Sequence, residues 1–121
     1  MKLRTLTILS TALLLSACNI NNYQAAAPTA SEKDIEMAKE ALAHIPNMKV
    51  TEDGYIEYVQ SLPSSGYKWN TTTINKISKE WSCKQAYNFL EKGFVTRMFF
   101  KGQGGREEYF DKARCDAEEA N

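Results

Sequence analysis

YIEYVQSL, residues 55–62, is the most strand-like run in the chain, and the elements on either side of it decide the fold. Aromatic and β-branched residues dominate it, and Pro63-Ser64-Ser65-Gly66 breaks it. Ahead of it, Glu52-Asp53-Gly54 reads as a hairpin turn in which Gly54 supplies a positive φ, so residues 48–51 pair with it as a short first strand. Further back, Ser31 with Asp34 resembles a capping box, and Ile35, Ala38, Leu42 and Ile45 follow at helical spacing until Pro46. Pro46 disfavours helix at the residue before it, which ends an amphipathic helix of about 14 residues.

Downstream, Tyr67-Lys68-Trp69 leads to Asn70 or Thr71 as the cap of a helical stretch over 72–92. The apolar pattern slips within it. Ile74, Ile77 and Trp81 share one face, whereas Ala86, Tyr87 and Leu90 continue a rotated one, so a break is expected near 81–83, with Ser82 as the next cap. Gly93 suits the position just past a helix end. Residues 94–101 alternate as a strand, with Phe94, Thr96, Met98 and Phe100 on one face and Val95, Arg97 and Phe99 on the other. Gly102-Gln103-Gly104-Gly105 turns the chain, residues 106–113 return antiparallel, and 116–121 form an acidic tail that frays. The order helix, hairpin, helix, hairpin predicts an α+β two-layer domain, with helices on one face of a small antiparallel sheet.

The start of the chain has a different character. Lys2 and Arg4 precede an apolar run over 6–15, about half the ~20 residues a spanning helix needs, and small residues follow it. Residues 1–17 therefore read as a secretory signal peptide. The box Leu15-Ser16-Ala17-Cys18 resembles that of bacterial lipoprotein precursors. The resemblance implies a diacylglyceryl group on the Cys18 sulfur, cleavage before Cys18, and a new amino group open to acylation. It also implies attachment to a membrane through that lipid. Asn19, where aspartate is the usual inner-membrane retention signal, makes the outer membrane, facing the periplasm, the default address. Residues 18–30, uncharged and rich in small residues, read as a flexible tether, and 31–121 as the periplasmic domain.

From Cys18 onward 104 residues remain, enough for one domain, carrying 13 basic against 15 acidic side chains. That balance offers nothing to nucleic acid. With Cys18 lipidated, Cys83 and Cys115 are left, and an exported compartment favours a disulfide between them. Metal-binding thiols are the alternative, but His44 is the single histidine and no Cys-x-x-Cys occurs, so no metal or cofactor is expected.

No residue pattern points to an enzyme. His44 lies in the last turn of the first helix with no nucleophile motif to serve. The glycines at 102, 104 and 105 lack the Lys-Ser/Thr of a phosphate cradle and any surrounding βαβ unit, so a hairpin turn explains them. Glu107, Glu108 and Asp111 read as a solvated face. Tyr55, Tyr67 and Trp69 flank loops and are the candidate anchors of a protein interface. Trp69 and Trp81 are candidate walls of a groove, with Trp81 the more core-like.

The composite of lipobox, tether, small α+β domain and a disulfide from Trp81-Ser82-Cys83 to Arg114-Cys115 is similar to the disulfide-bearing pilotin lipoproteins of type II secretion. That resemblance implies a lipid-anchored helper that grips a helix of an outer-membrane secretin subunit. An immunity or exclusion lipoprotein, which occupies a toxin, phage or conjugation component, is the second reading.

Overall fold

The structure, a computed structural model, describes residues 23–119; the expected signal peptide and Cys18 lie outside the described residues. Helix α1 (Glu32–Leu42) starts where the Ser31 hydroxyl accepts the Asp34 N–H at 3.1 Å. At 11 residues it stops short of the expected run to Pro46, with Ile45 N–H donating to Leu42 O in a turn beyond it. Strand β1 (Met48–Val50) pairs antiparallel with β2 (Tyr55–Ser61) around a turn in which Gly54 has φ 102°. Helix α2 (Thr71–Glu80) is capped by Asn70, whose side chain accepts the Thr73 N–H at 2.8 Å. A π-helical turn (Trp81–Gln85) and the short α3 (Tyr87–Glu91) follow, then β3 (Val95–Lys101), β4 (Glu107–Phe110) and α4 (Lys112–Glu119).

The sheet order is β1-β2-β3-β4, and its outer pairs are antiparallel hairpins. The central pair β2–β3 is parallel, in register from Tyr55–Val95 to Ser61–Lys101. A wholly antiparallel sheet was the expectation. The parallel pair arises because α2 and α3 carry the chain back to the end at which β2 began, as a parallel connection requires. β2, the helices and β3 thus form a βαβ unit, although the glycine-rich turn follows β3 and opens no helix.

The slip in the helical pattern is the π-helical turn. Ala86 N–H reaches back to Trp81 O at 2.8 Å, one residue further than in an α-helix. The inserted residue turns the following apolar face, so Ile74 and Leu90 both end up buried although they do not share one α-helical stripe. Ser82 is no cap. It is buried, and its hydroxyl accepts from Thr96 Oγ1 at 2.8 Å.

All helices among the described residues cover one face. Ile35, Ala38, Val50, Ile56 and Phe94 make one core cluster, and Ile74, Met98 and Phe100 a second. Half-buried Trp81 packs against both, with its ring 5.2 Å from that of Tyr58. Leu90, Phe110 and Cys115 make a third cluster beside the Cys83–Cys115 disulfide, whose Cα atoms are 5.5 Å apart. That bridge pins the π-helical turn to α4.

Two terminal stretches differ from expectation. Residues 112–119 form a helix: Asp111 Oδ1 accepts the Arg114 N–H at 2.9 Å, and Lys112–Asp116 and Arg114–Glu118 pair at i,i+4. The described part of the expected tether, residues 23–30, lies along the domain. Thr29 N–H donates to Gly93 O at 2.8 Å, Ala30 packs on the first core cluster, and Tyr23 OH donates to Asp111 Oδ1 at 2.9 Å. Gly93 has φ 96°, and a Cβ there would stand 2.5 Å from Thr29 Oγ1. Only glycine allows this approach.

Candidate functional site

Strand periodicity and register together build the sheet face that the helices leave open. Lys49, Glu57, Arg97 and Tyr109 are direct cross-strand neighbours in one row over all four strands, with Val59, Phe99 and Glu107 in the row beside it. Arg97 is the centre. Its Nη1 donates to Glu57 Oε2 at 2.6 Å, and its guanidinium carbon lies 4.4 Å from the Tyr55 ring centroid, 5.3 Å from Tyr109 and 5.9 Å from Phe99. Each close cation–ring contact contributes on the order of 0.5–1 kcal/mol at a half-exposed site. The guanidinium is thereby held among aromatic rings. Its Nε is buried with no hydrogen-bond partner among the described residues.

Tyr109 donates its hydroxyl to Glu107 at 2.9 Å, and burial followed by that hydrogen bond raises its phenol above the usual range. A cavity of about 250 Å³ lies where Tyr23, Gln24 and Ala25 pass beside Tyr55, Arg97 and Tyr109. The open face thus offers rings and a guanidinium, the side chains that most often anchor protein interfaces.

A second surface forms at the opposite end of the strands. The loop over 62–70 is laid on the turn after β3: Trp69 N–H donates to Gln103 O at 2.8 Å and Trp69 Nε1 to Lys101 O at 2.9 Å. Gly104 has φ 79°, and a Cβ there would stand 2.5 Å from Trp69 O. The glycines of the hairpin turn therefore also seat this loop. The Trp69 ring meets Phe100 edge-on at 5.0 Å, which places it half-buried on the helix side, while Tyr67 is 58% exposed.

The structure brings Tyr67 and Trp69 into one loop and leaves Tyr55 at the far end of β2, about 20 Å away at ~3.3 Å per residue. Cys83 and Cys115 are joined. Cys18 lies outside the described residues. His44 is exposed just beyond α1. Arg97, Phe99 and Tyr109 were not expected at the site. Their shared outward parity was readable, but the strand partners that align them were not.

Glu107, Glu108 and Asp111 do not form one solvated face. Glu107 is exposed, but Glu108 is 2% exposed, with Arg106 Nε at 2.6 Å and Arg114 Nη2 at 3.1 Å. Arg114 is itself buried, donates to Tyr109 O at 2.6 Å, and stacks 3.8 Å from the Phe110 ring centroid. Two guanidinium groups thus offset one carboxylate that water does not reach, which is how a buried charge is made tolerable. No group of three or more His, Cys, Asp or Glu among the described residues is placed to hold a metal ion. No helix among them is long and apolar enough to cross a membrane. Comparison of the chain with protein-family models, curated proteins and solved structures gave no match.

Proposed function

We propose that this protein is a lipid-anchored binding protein of the bacterial envelope, tethered through Cys18 and facing the periplasm. In its most specific form it is a pilotin-like assembly helper of an outer-membrane secretin. The observation that carries the binding role is the sheet face where Tyr55, Phe99 and Tyr109 surround the Arg97 guanidinium with no covering helix among the described residues. A face of this kind offers a partner apolar area, ring edges and one fixed cation, the combination from which hot spots are built. The anchor rests on the box Leu15-Ser16-Ala17-Cys18 and its basic and apolar lead. The role needs no catalytic group.

A photo-crosslinking residue placed at Phe99 in the full chain tests the reading in the envelope itself. A secretin subunit as the crosslinked product supports the pilotin-like form, and a toxin or conjugation component supports the immunity reading instead. Labelled palmitate that enters the wild type and not Cys18→Ser supports the anchor. Label absent from both removes it.

A further inference from the structure

The place where Tyr23 is held on the domain bears on how the anchored protein stands. Tyr23 sits at the end of the sheet where β2 and β3 begin and β4 finishes. Its hydroxyl reaches Asp111, directly after β4, and its ring lies 5.2 Å from the Arg114 guanidinium carbon. Further along the same segment, Thr29 is bonded to Gly93 beside the start of β3, and Pro28 comes within 3.0 Å of where a Cβ on Gly54, beside the start of β2, would stand. Residues 23–30 therefore hold on at several separate points, all at one end of the strands. The Trp69–Tyr67 loop and the turn over 102–105 are at the other end.

A free tether over residues 18–30 would let the domain turn in any direction, up to roughly 45 Å from its anchor at ~3.3–3.6 Å per residue. The docked segment leaves only the step from Cys18 to Tyr23, which spans at most about 18 Å however it is arranged. The attachment point is thereby transferred from Ser31 to Tyr23, on the surface of the domain.

We infer that residues 23–30 are an orienting strap, and that the lipid on Cys18 holds the Tyr23–Gly54–Gly93 end of the domain against the phospholipid surface. The Trp69–Tyr67 end then points away from the bilayer. This rests on the anchored reading above. In this pose the strands stand upright on the membrane, and the Arg97 face opens sideways, toward a partner in or on the same bilayer. The occupant of the strap end is the bilayer that carries the anchor, and chain length alone brings it there.

The test uses the protein purified from membranes and returned to phospholipid nanodiscs containing a gadolinium-chelating lipid. Intact mass reports whether Cys18 carries lipid, and amide resonances report distance from the bilayer. The expected result is loss of signal at Gly54, Gly93 and Lys112, with Gly66, Gln103 and Gly104 retained. Tyr23→Ala combined with Thr29→Pro removes the two polar attachments. It should spread the loss evenly over both ends while the core resonances of Phe94 and Met98 stay in place. If Thr29→Pro disturbs the core, Tyr23→Ala alone should show the same trend to a smaller extent. Equal loss at both ends in the lipidated wild type overturns the strap, as does loss confined to the Trp69 end. A mass without lipid instead removes the anchored reading, and the orientation with it.

Discussion

Tyr23 donates its phenolic hydrogen to Asp111 across a sequence separation of 88 residues, so the first described residue is fastened beside the last strand. Burial, then the hydrogen bond to Asp111 and its charge, push the Tyr23 phenol up to about 12. A phenol whose pKa is higher folded than unfolded stabilises the fold fully below its ordinary value near 10. That stabilisation is lost as pH rises toward 12. Thermal melts of wild type and Tyr23→Phe should differ at pH 8, by about 1 kcal/mol for a half-buried bond, and the difference should vanish as pH rises toward 12. A constant difference across that range would rule out this linkage.

Asp116 offers the opposite sign. The hydrogen bond from Lys112, then that from Tyr87, hold its carboxyl below the usual range. Its contribution is therefore present above the unfolded value and disappears as pH falls through the lowered folded one. In a carbon-detected titration Asp116 should titrate below the ordinary aspartate value in the wild type, and return toward it in Lys112→Met. An unchanged midpoint in that variant would remove Lys112 as the cause.

The disulfide closes a loop with sequence separation 32. Chain entropy assigns such a loop roughly 3–4 kcal/mol, less any cost in the folded state. Cys83→Ala and Cys115→Ala should each lower stability by about 2–4 kcal/mol in denaturant titrations. The double variant should cost little more than the worse single one, because each single change already removes the bond. Additive losses would contradict this.

Glu108 is the charge whose removal should be felt most. Glu108→Ala takes from the buried Arg114 guanidinium its one buried counter-ion among the described residues and leaves it Glu118 and Tyr109 O. The loss should therefore fall below the about 3–5 kcal/mol of a fully unpaired buried charge but exceed about 1 kcal/mol. Glu107→Ala, one residue earlier and exposed, should stay within about 0.5 kcal/mol. Similar midpoints for the two variants would show that burial of Glu108 carries no energetic consequence.

Trp69 and Tyr67 separate structure from recognition within one loop. Trp69→Ala removes the edge contact with Phe100 and the bond to Lys101 O, and should destabilise by about 2–3 kcal/mol, short of a full core truncation. Tyr67→Ala should leave stability within about 0.5 kcal/mol. If the loop touches the partner, Tyr67→Ala weakens binding without a shift in melting. Full affinity in that variant assigns recognition to the Arg97 face, where Arg97→Ala should cost on the order of 2 kcal/mol of binding.

Local chemistry determined most of the elements. Ser31 caps α1, which ends at Leu42, about a turn short of Pro46; Gly54 closes the first hairpin and Asn70 caps α2, because caps and turns depend on residues within a few positions of each other. The slip between Ile77 and Ala86 marked the break that proved to be a π-helical turn, and the inward parity of Phe94, Thr96, Met98 and Phe100 was readable from alternation alone. Asp111 with Arg114 three residues on, and the i,i+4 pairs after it, carried a local signal for α4 that an apolar pattern does not contain.

Tertiary structure alone decided the rest. Whether β3 pairs with β2, and in which direction, depends on where α2 and α3 return the chain, which no window of sequence holds. That pairing is what sets Glu57, Arg97 and Tyr109 side by side. The burial of Glu108 depends on two arginines arriving from β4's approach and from α4. The docking of residues 23–30 depends on a backbone carbonyl at Gly93 and a carboxylate at Asp111. A polar, small-residue segment has no periodic apolar face to announce where it packs. Its partners are backbone and side-chain groups that only the folded chain brings within reach.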